Sequence, residues 1–102
     1  MSNKPKFAAL IKGETPVLVD FYADWCGPCK TMSPILSQLS SQLHGRLKVI
    51  KINVDKNQAV AGQYQVRSIP TFILFRQGKA IWRQTGASSL NELQRQLEPH
   101  LV

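Results

Sequence analysis

The chain predicts an α/β fold, a mixed four-stranded central sheet with helices on both faces. Two observations carry this expectation. Apolar runs rich in β-formers, Val17–Tyr22 and Leu47–Val54, alternate with segments of helical spacing. Two further runs then flank Arg76-Gln77-Gly78-Lys79, a tight turn whose glycine supplies positive φ. A helical connection between the first two strands and a tight turn between the last two imply mixed pairing. At 102 residues the chain holds one core and not two, so a single domain over residues 1–102 is expected.

The elements follow in order. Lys4–Ile11 reads as a short helix ended by the turn Gly13-Glu14-Thr15-Pro16. Val17–Tyr22 is continuously apolar except for Asp20, as expected of a strand covered on both faces. The next helix has Pro28 in its first turn, where no amide donor is needed, and Met32, Leu36, Leu39 and Leu43 at helical spacing. Pro34 lies inside it and predicts a kink. Leu47–Val54 is the second strand, and Lys56–Tyr64 a short helical segment. Thr71–Phe75 and Ala80–Thr85 form the hairpin, with Trp82 a packing residue. Ser89 and Glu92 form a capping box for a last helix with Leu90, Leu93, Leu97 and Leu101 on one face.

Composition excludes several function classes. Hydrophobic content is 43%, yet no apolar stretch approaches the ~18 residues of a membrane span, and Phe7–Ile11 is too short for a signal-peptide core. A soluble protein of the reducing cytosol is the expectation. The formal charge of +7 comes from 13 cations and 6 anions that are scattered singly, without the aromatic interleaving that stacks bases. No nucleic-acid or membrane partner is expected. Lys56, Arg67, Arg76, Lys79 and Arg83 meet no acid before Asn91. They predict a solvated basic face, or more sharply a preference for acidic protein partners.

Cys26 and Cys29, in Trp25-Cys26-Gly27-Pro28-Cys29-Lys30, are the candidate chemistry. At i and i+3 of a starting helix their Cα atoms lie roughly 5 Å apart, inside the window a disulfide tolerates. The loop is too short to restrict the unfolded chain much, which favours reversible oxidation over structural stapling. Zinc would need more ligands, and His44 and His100 lack zinc-site spacing, so both read as surface residues. No metal is expected. Lys30 after the second cysteine excludes the haem attachment signature.

Taken with Val17–Asp24, Pro34, Lys51-Ile52-Asn53-Val54-Asp55, Ile69-Pro70-Thr71 and Gly86, this segment resembles the thioredoxin family over nearly the whole chain. The resemblance implies a thioredoxin-like fold and a protein-disulfide reductase that needs no bound cofactor. Such an electron carrier serves disulfide-containing proteins and is recharged by a thioredoxin reductase, here as a cytoplasmic monomer. Cys26, just before the helix, has free amides and the helix dipole to stabilise a thiolate and is the nucleophile. Cys29, one turn in and more occluded, resolves the mixed disulfide. Asp20 is desolvated on both sides, which raises its pKa and suits it to proton transfer, unless a partner such as Lys51 simply satisfies it. By resemblance, Asp20 is the family's buried acid and Lys51 its tuning cation. Ile69-Pro70-Thr71 resembles the family's cis-proline loop, which pairs with extended substrate. Trp25, Gly27, Pro28, Ile69, Gly86 and Ala87 would form the apolar docking rim.

Three departures from the family pattern stand out. Only Met1–Lys4 precedes the first helix, so the family's usual N-terminal strand is expected to be absent. The second strand then becomes an edge, protected from edge-to-edge pairing by Lys48 and Lys51, or by Lys48 alone if Lys51 turns inward. Tyr22 stands where many members have Trp, and the basic charge, with Thr85 near the rim, points to unusual partners. Two other functions compete: a non-catalytic interaction subunit, which would lose nothing in insulin reduction without its cysteines, and a disulfide oxidase. The Gly27-Pro28 pair resembles reductases, and a reduction potential far above the ~−270 mV typical of thioredoxin would mark an oxidase.

Overall fold

A computed structural model describes residues 3–101. Along the chain run α1 (Lys4–Ile11), β1 (Val17–Tyr22), α2 (Gly27–Gln42), β2 (Lys48–Asn53), α3 (Gln58–Gln63), β3 (Thr71–Arg76), β4 (Lys79–Thr85) and α4 (Leu90–Leu97), closed by a 3-10 turn over Glu98–His100. The four strands lie in the order β2-β1-β3-β4. β1 is parallel to β2 and antiparallel to β3, and β3 is antiparallel to β4. The predicted mixed sheet is therefore present, with β2 on an edge.

Alternation along β1 divides the core into two layers. Leu18 joins Phe72 and Leu74 beneath Met32, Leu36 and Leu39 of α2 and Leu93 and Leu97 of α4. Val17, Val19 and Phe21 face the other way, with Ile73 and Phe75, against Phe7 and Ile11 of α1 and Val60 of α3. Trp82 packs at the border of the first layer, as expected of a structural residue. α2 continues as one 16-residue helix through Pro34.

Where boundaries differ from expectation, side chains explain it. β2 stops at Asn53 because its Oδ1 accepts from the Asp55 and Lys56 amides at 2.9 and 3.2 Å, which turns the chain and delays α3 to Gln58. The hairpin strands reach one residue further into the turn at each side, leaving only Gln77 and Gly78, both at positive φ (52° and 81°). Their amides donate to Gly13 and Ile11 carbonyls at 2.9 Å, joining the hairpin tip to the end of α1. α4 ends at Leu97, and Pro99, lacking an amide donor, directs the chain into the 3-10 turn. Leu101 still packs on the core from beyond it. The capping box is one-sided. Ser89 Oγ accepts from the Glu92 amide at 3.1 Å, while the Glu92 carboxylate turns to Arg95 and Gln96. His44 is exposed and His100, in the 3-10 turn, is half-buried.

Candidate active site

The C-terminal end of β1 delivers the chain into Ala23-Asp24-Trp25, and Cys26 then serves as N-cap of α2 in extended conformation. Gly27 and Pro28 open the helix, exposed to solvent. Cys26 and Cys29 are joined as a disulfide, their Cα atoms 5.3 Å apart. The Cys29 amide donates to Cys26 Sγ at 3.1 Å. In the reduced state an amide so placed, at the positive end of a helix with no acid in its first turn, stabilises a Cys26 thiolate. The two cysteines do not differ in burial. Each is 4% exposed, which corrects the expectation that Cys29 is the more occluded of the two. Ala23, Tyr22, Val54 and Ile69 pack around both.

Ile69 reaches that cluster from the loop before β3, where the Ile69–Pro70 bond is cis and Pro70 is buried. Neighbouring strands hold this loop. Gly86 N–H donates to the Pro70 carbonyl at 2.8 Å, and Thr71 Oγ1 donates to the Ser68 carbonyl at 2.6 Å and lies 3.3 Å from Thr85 Oγ1. Gly86 sits at φ 98°, a left-handed conformation that suits glycine. Ala87 follows it, exposed. Beside Cys26, Trp25 is 71% exposed, yet its indole is fixed by Nε1–H donation to Asp55 at 2.8 Å.

Asp20 is fully buried, and neither carboxylate oxygen has a hydrogen-bond partner. Burial pushes its pKa from 3.8 up to about 6, an effect that the positive charge of Lys51 partly opposes. Lys51 pairs with Asp20 in the strand register. Its ammonium does not bond the carboxylate: it lies 3.3 Å from Ser33 Oγ and 4.8 Å from the centroid of the Tyr22 ring, exposed to solvent. The reading of Asp20 as an acid satisfied by Lys51 therefore falls, and Lys51 acts on it only through space. A cleft of about 240 Å³ lined by Cys29, Lys30, Ser33, Lys51 and Tyr22–Asp24 opens beside the pair.

Three participants escaped the sequence reading. Asp55 orients Trp25 from the turn that Asn53 builds, and Ser33 receives Lys51. Arg83 of β4 donates to the Tyr64 and Gln65 carbonyls, the latter at 2.9 Å, tying the end of α3 just ahead of the Pro70 loop. Gln65 there adopts φ 54°. No local pattern signals contacts made across 18 or more residues.

The profile of the Thioredoxin family matches residues 1–99. The chain belongs to the thioredoxin family. It is 48% identical over 93 residues to Thioredoxin-like protein slr0233 of Synechocystis sp., covering 90% of this chain and 89% of that protein. It is 39% identical over 94 residues to a thioredoxin of Haemophilus influenzae, at 92% and 88% coverage. A solved mutant thioredoxin from Halobacterium salinarum superposes with a TM-score of 0.89 at 34% identity, covering all of this chain and 88% of the other. Thioredoxins are protein-disulfide reductases that work with disulfide substrates and thioredoxin reductase. The chain carries a Cys-x-x-Cys pair at disulfide distance and a buried acid, Asp20. It is a thiol-disulfide oxidoreductase. Among the described residues no helix is long and apolar enough to cross a membrane.

Proposed function

We propose that this chain, as a single thioredoxin domain over residues 1–102, reduces protein disulfides with Cys26 as nucleophile, Cys29 as resolving thiol and Asp20 as proton acceptor. The Cys26 thiolate attacks one sulfur of the substrate disulfide, forming a mixed disulfide and releasing the other substrate sulfur as thiolate. Asp20 takes the Cys29 proton. The Cys29 thiolate attacks Cys26 Sγ, closes the internal disulfide and releases the second substrate sulfur, so two electrons have passed to the substrate. The observation that carries this reading is the Cys29 amide directed at Cys26 Sγ at the start of α2, which distinguishes the two sulfurs electrostatically although burial does not. Asp20 supports it as the buried acid whose pKa, about 6, allows proton exchange near neutrality.

Trp25, Gly27, Pro28, Ile69, Pro70, Thr71, Gly86 and Ala87 form the docking surface in this reading, with extended substrate pairing against the Ile69–Thr71 backbone. Lys51 tunes Asp20. The protein acts as a cytoplasmic monomer, carrying electrons from thioredoxin reductase to its substrates, because a dithiol reductant works where a reducing supply recharges it. Insulin reduction tests the roles. Cys29→Ser is expected to accumulate a covalent adduct through Cys26, visible by mass spectrometry and released by dithiothreitol, and free turnover by that variant overturns the assignment. Replacement of both cysteines by Ser abolishes reduction; unchanged cellular function of that variant points to a scaffold instead.

A further inference from the structure

β2 is an edge strand of the sheet. Lys48 N–H donates to the Pro16 carbonyl and Val54 N–H to that of Tyr22, so the groups of Lys48, Ile50 and Ile52 make the ladder with β1. In a parallel pair the intervening residues turn the other way. Val49 and Lys51 therefore direct N–H and C=O outward, where no described strand pairs with them.

A cleft lies on each side of this edge. On the α2 side about 320 Å³ opens between Ser33, Ser37, Ser40 and Lys51, with Leu36 and Val49 beneath. On the α1 side about 220 Å³ opens along Lys6, Phe7, Leu10 and Ile52, where Leu10 is 54% exposed. A strand added to β2 would send its side chains alternately into these two clefts. One cleft offers hydroxyls and an ammonium, the other an apolar floor. Lys6, Lys48 and Lys51 are exposed around the edge, and no acid lines either cleft.

We propose that the outer edge of β2 takes up an extended acidic segment of a partner protein as an additional strand. Its apolar side chains enter the α1-side cleft, and its carboxylates face Lys51 and the serine hydroxyls. Charge selects this occupant. A second copy would bring these lysines and its own net charge of +7 against the same cations, whereas an acidic strand is drawn to them. Lys51 also lines the cleft beside Cys29, so a segment held here is anchored next to the redox pair.

The test is titration of the ¹⁵N-labelled protein with the acetylated, amidated peptide Glu-Val-Glu-Val-Glu, with Lys-Val-Lys-Val-Lys as control. The acidic peptide is expected to slow hydrogen exchange at the Val49 and Lys51 amides, the basic one to leave them unchanged. Lys6→Glu and Lys48→Glu together reverse two exposed cations near the edge that act on the peptide's net charge at a distance, and should weaken binding about threefold at low salt and little at high salt, while insulin reduction stays at the wild-type rate. Shifts confined to Trp25, Ile69 and Gly86 would place the peptide on the docking rim and overturn the proposal. Protection that rises with protein concentration without peptide assigns the edge to a second copy, and equal effects of both peptides leave no acidic preference; either outcome also overturns it.

Discussion

The two faces of β1 differ in what they bury. Toward α1 and α3 the layer is centred on Phe7, whose ring meets Phe75 edge-on at 5.5 Å, Tyr64 at 5.6 Å and Phe21 at 6.4 Å. Toward α2 and α4 the layer is equally tight around Leu18, Met32 and Leu39, yet the next inward position along the strand is Asp20, a carboxyl without a partner. One strand thus packs aromatic rings on one side and carries an unpartnered carboxyl on the other. The contrast teaches that the strand keeps the cost of a buried acid and its aromatic packing on opposite faces.

The largest effect expected comes from breaking the strong side. Phe7→Ala removes the ring that joins α1 to three aromatic neighbours and should destabilise the fold by about 3–5 kcal/mol in denaturant unfolding. Disulfide reduction per folded molecule should persist at low temperature, because Phe7 touches nothing in the cysteine cluster. Equal loss of both would show that the two faces are not separable.

Removing the acid should act in the opposite direction. The rise of the Asp20 pKa from 3.8 to about 6 means that the folded state binds its proton more tightly than the unfolded chain does. Its penalty is therefore absent below about pH 4, grows as pH rises, and is complete above about pH 6, reaching ~3 kcal/mol by linkage. Asp20→Asn should be more stable than wild type by about 2–3 kcal/mol at pH 8, an advantage that disappears toward pH 4 in paired melts. The same variant should resolve mixed disulfides slowly, with a flattened pH–rate profile. A pH-independent stability difference would remove Asp20 from both roles.

Lys51→Met is the smallest of these changes. Without the cation the Asp20 pKa should rise further, moving the pH–rate midpoint upward. Loss of the contact over Tyr22 should reduce stability by less than about 1 kcal/mol. A midpoint that stays in place would mean that the ammonium is too well solvated to reach the acid.

Much of this contrast is legible in the chain, and its limits have physical causes. Asp20 stands out because a charged residue within Val17–Tyr22 breaks an otherwise apolar run, and Leu spacing identifies the inward faces of α2 and α4. The cysteine pair is legible because i, i+3 spacing at a helix start is local geometry. What stays hidden is decided by long-range placement. Lys51 belongs to the same register pair as Asp20 but turns its ammonium to Ser33 and Tyr22, and Cys26 is buried by Ile69, a residue 43 positions later. The end of β2 is missed for a different reason: Asn53 caps two amides with one oxygen, a competition that β-propensity does not weigh.

The hairpin tip carries one more consequence. The carbonyls that close α1, those of Ile11 and Gly13, find their donors in the amides of Gly78 and Gln77. During synthesis on a ribosome those donors emerge more than sixty residues after the acceptors. These two bonds at the end of α1 therefore cannot close until β3 has turned into β4.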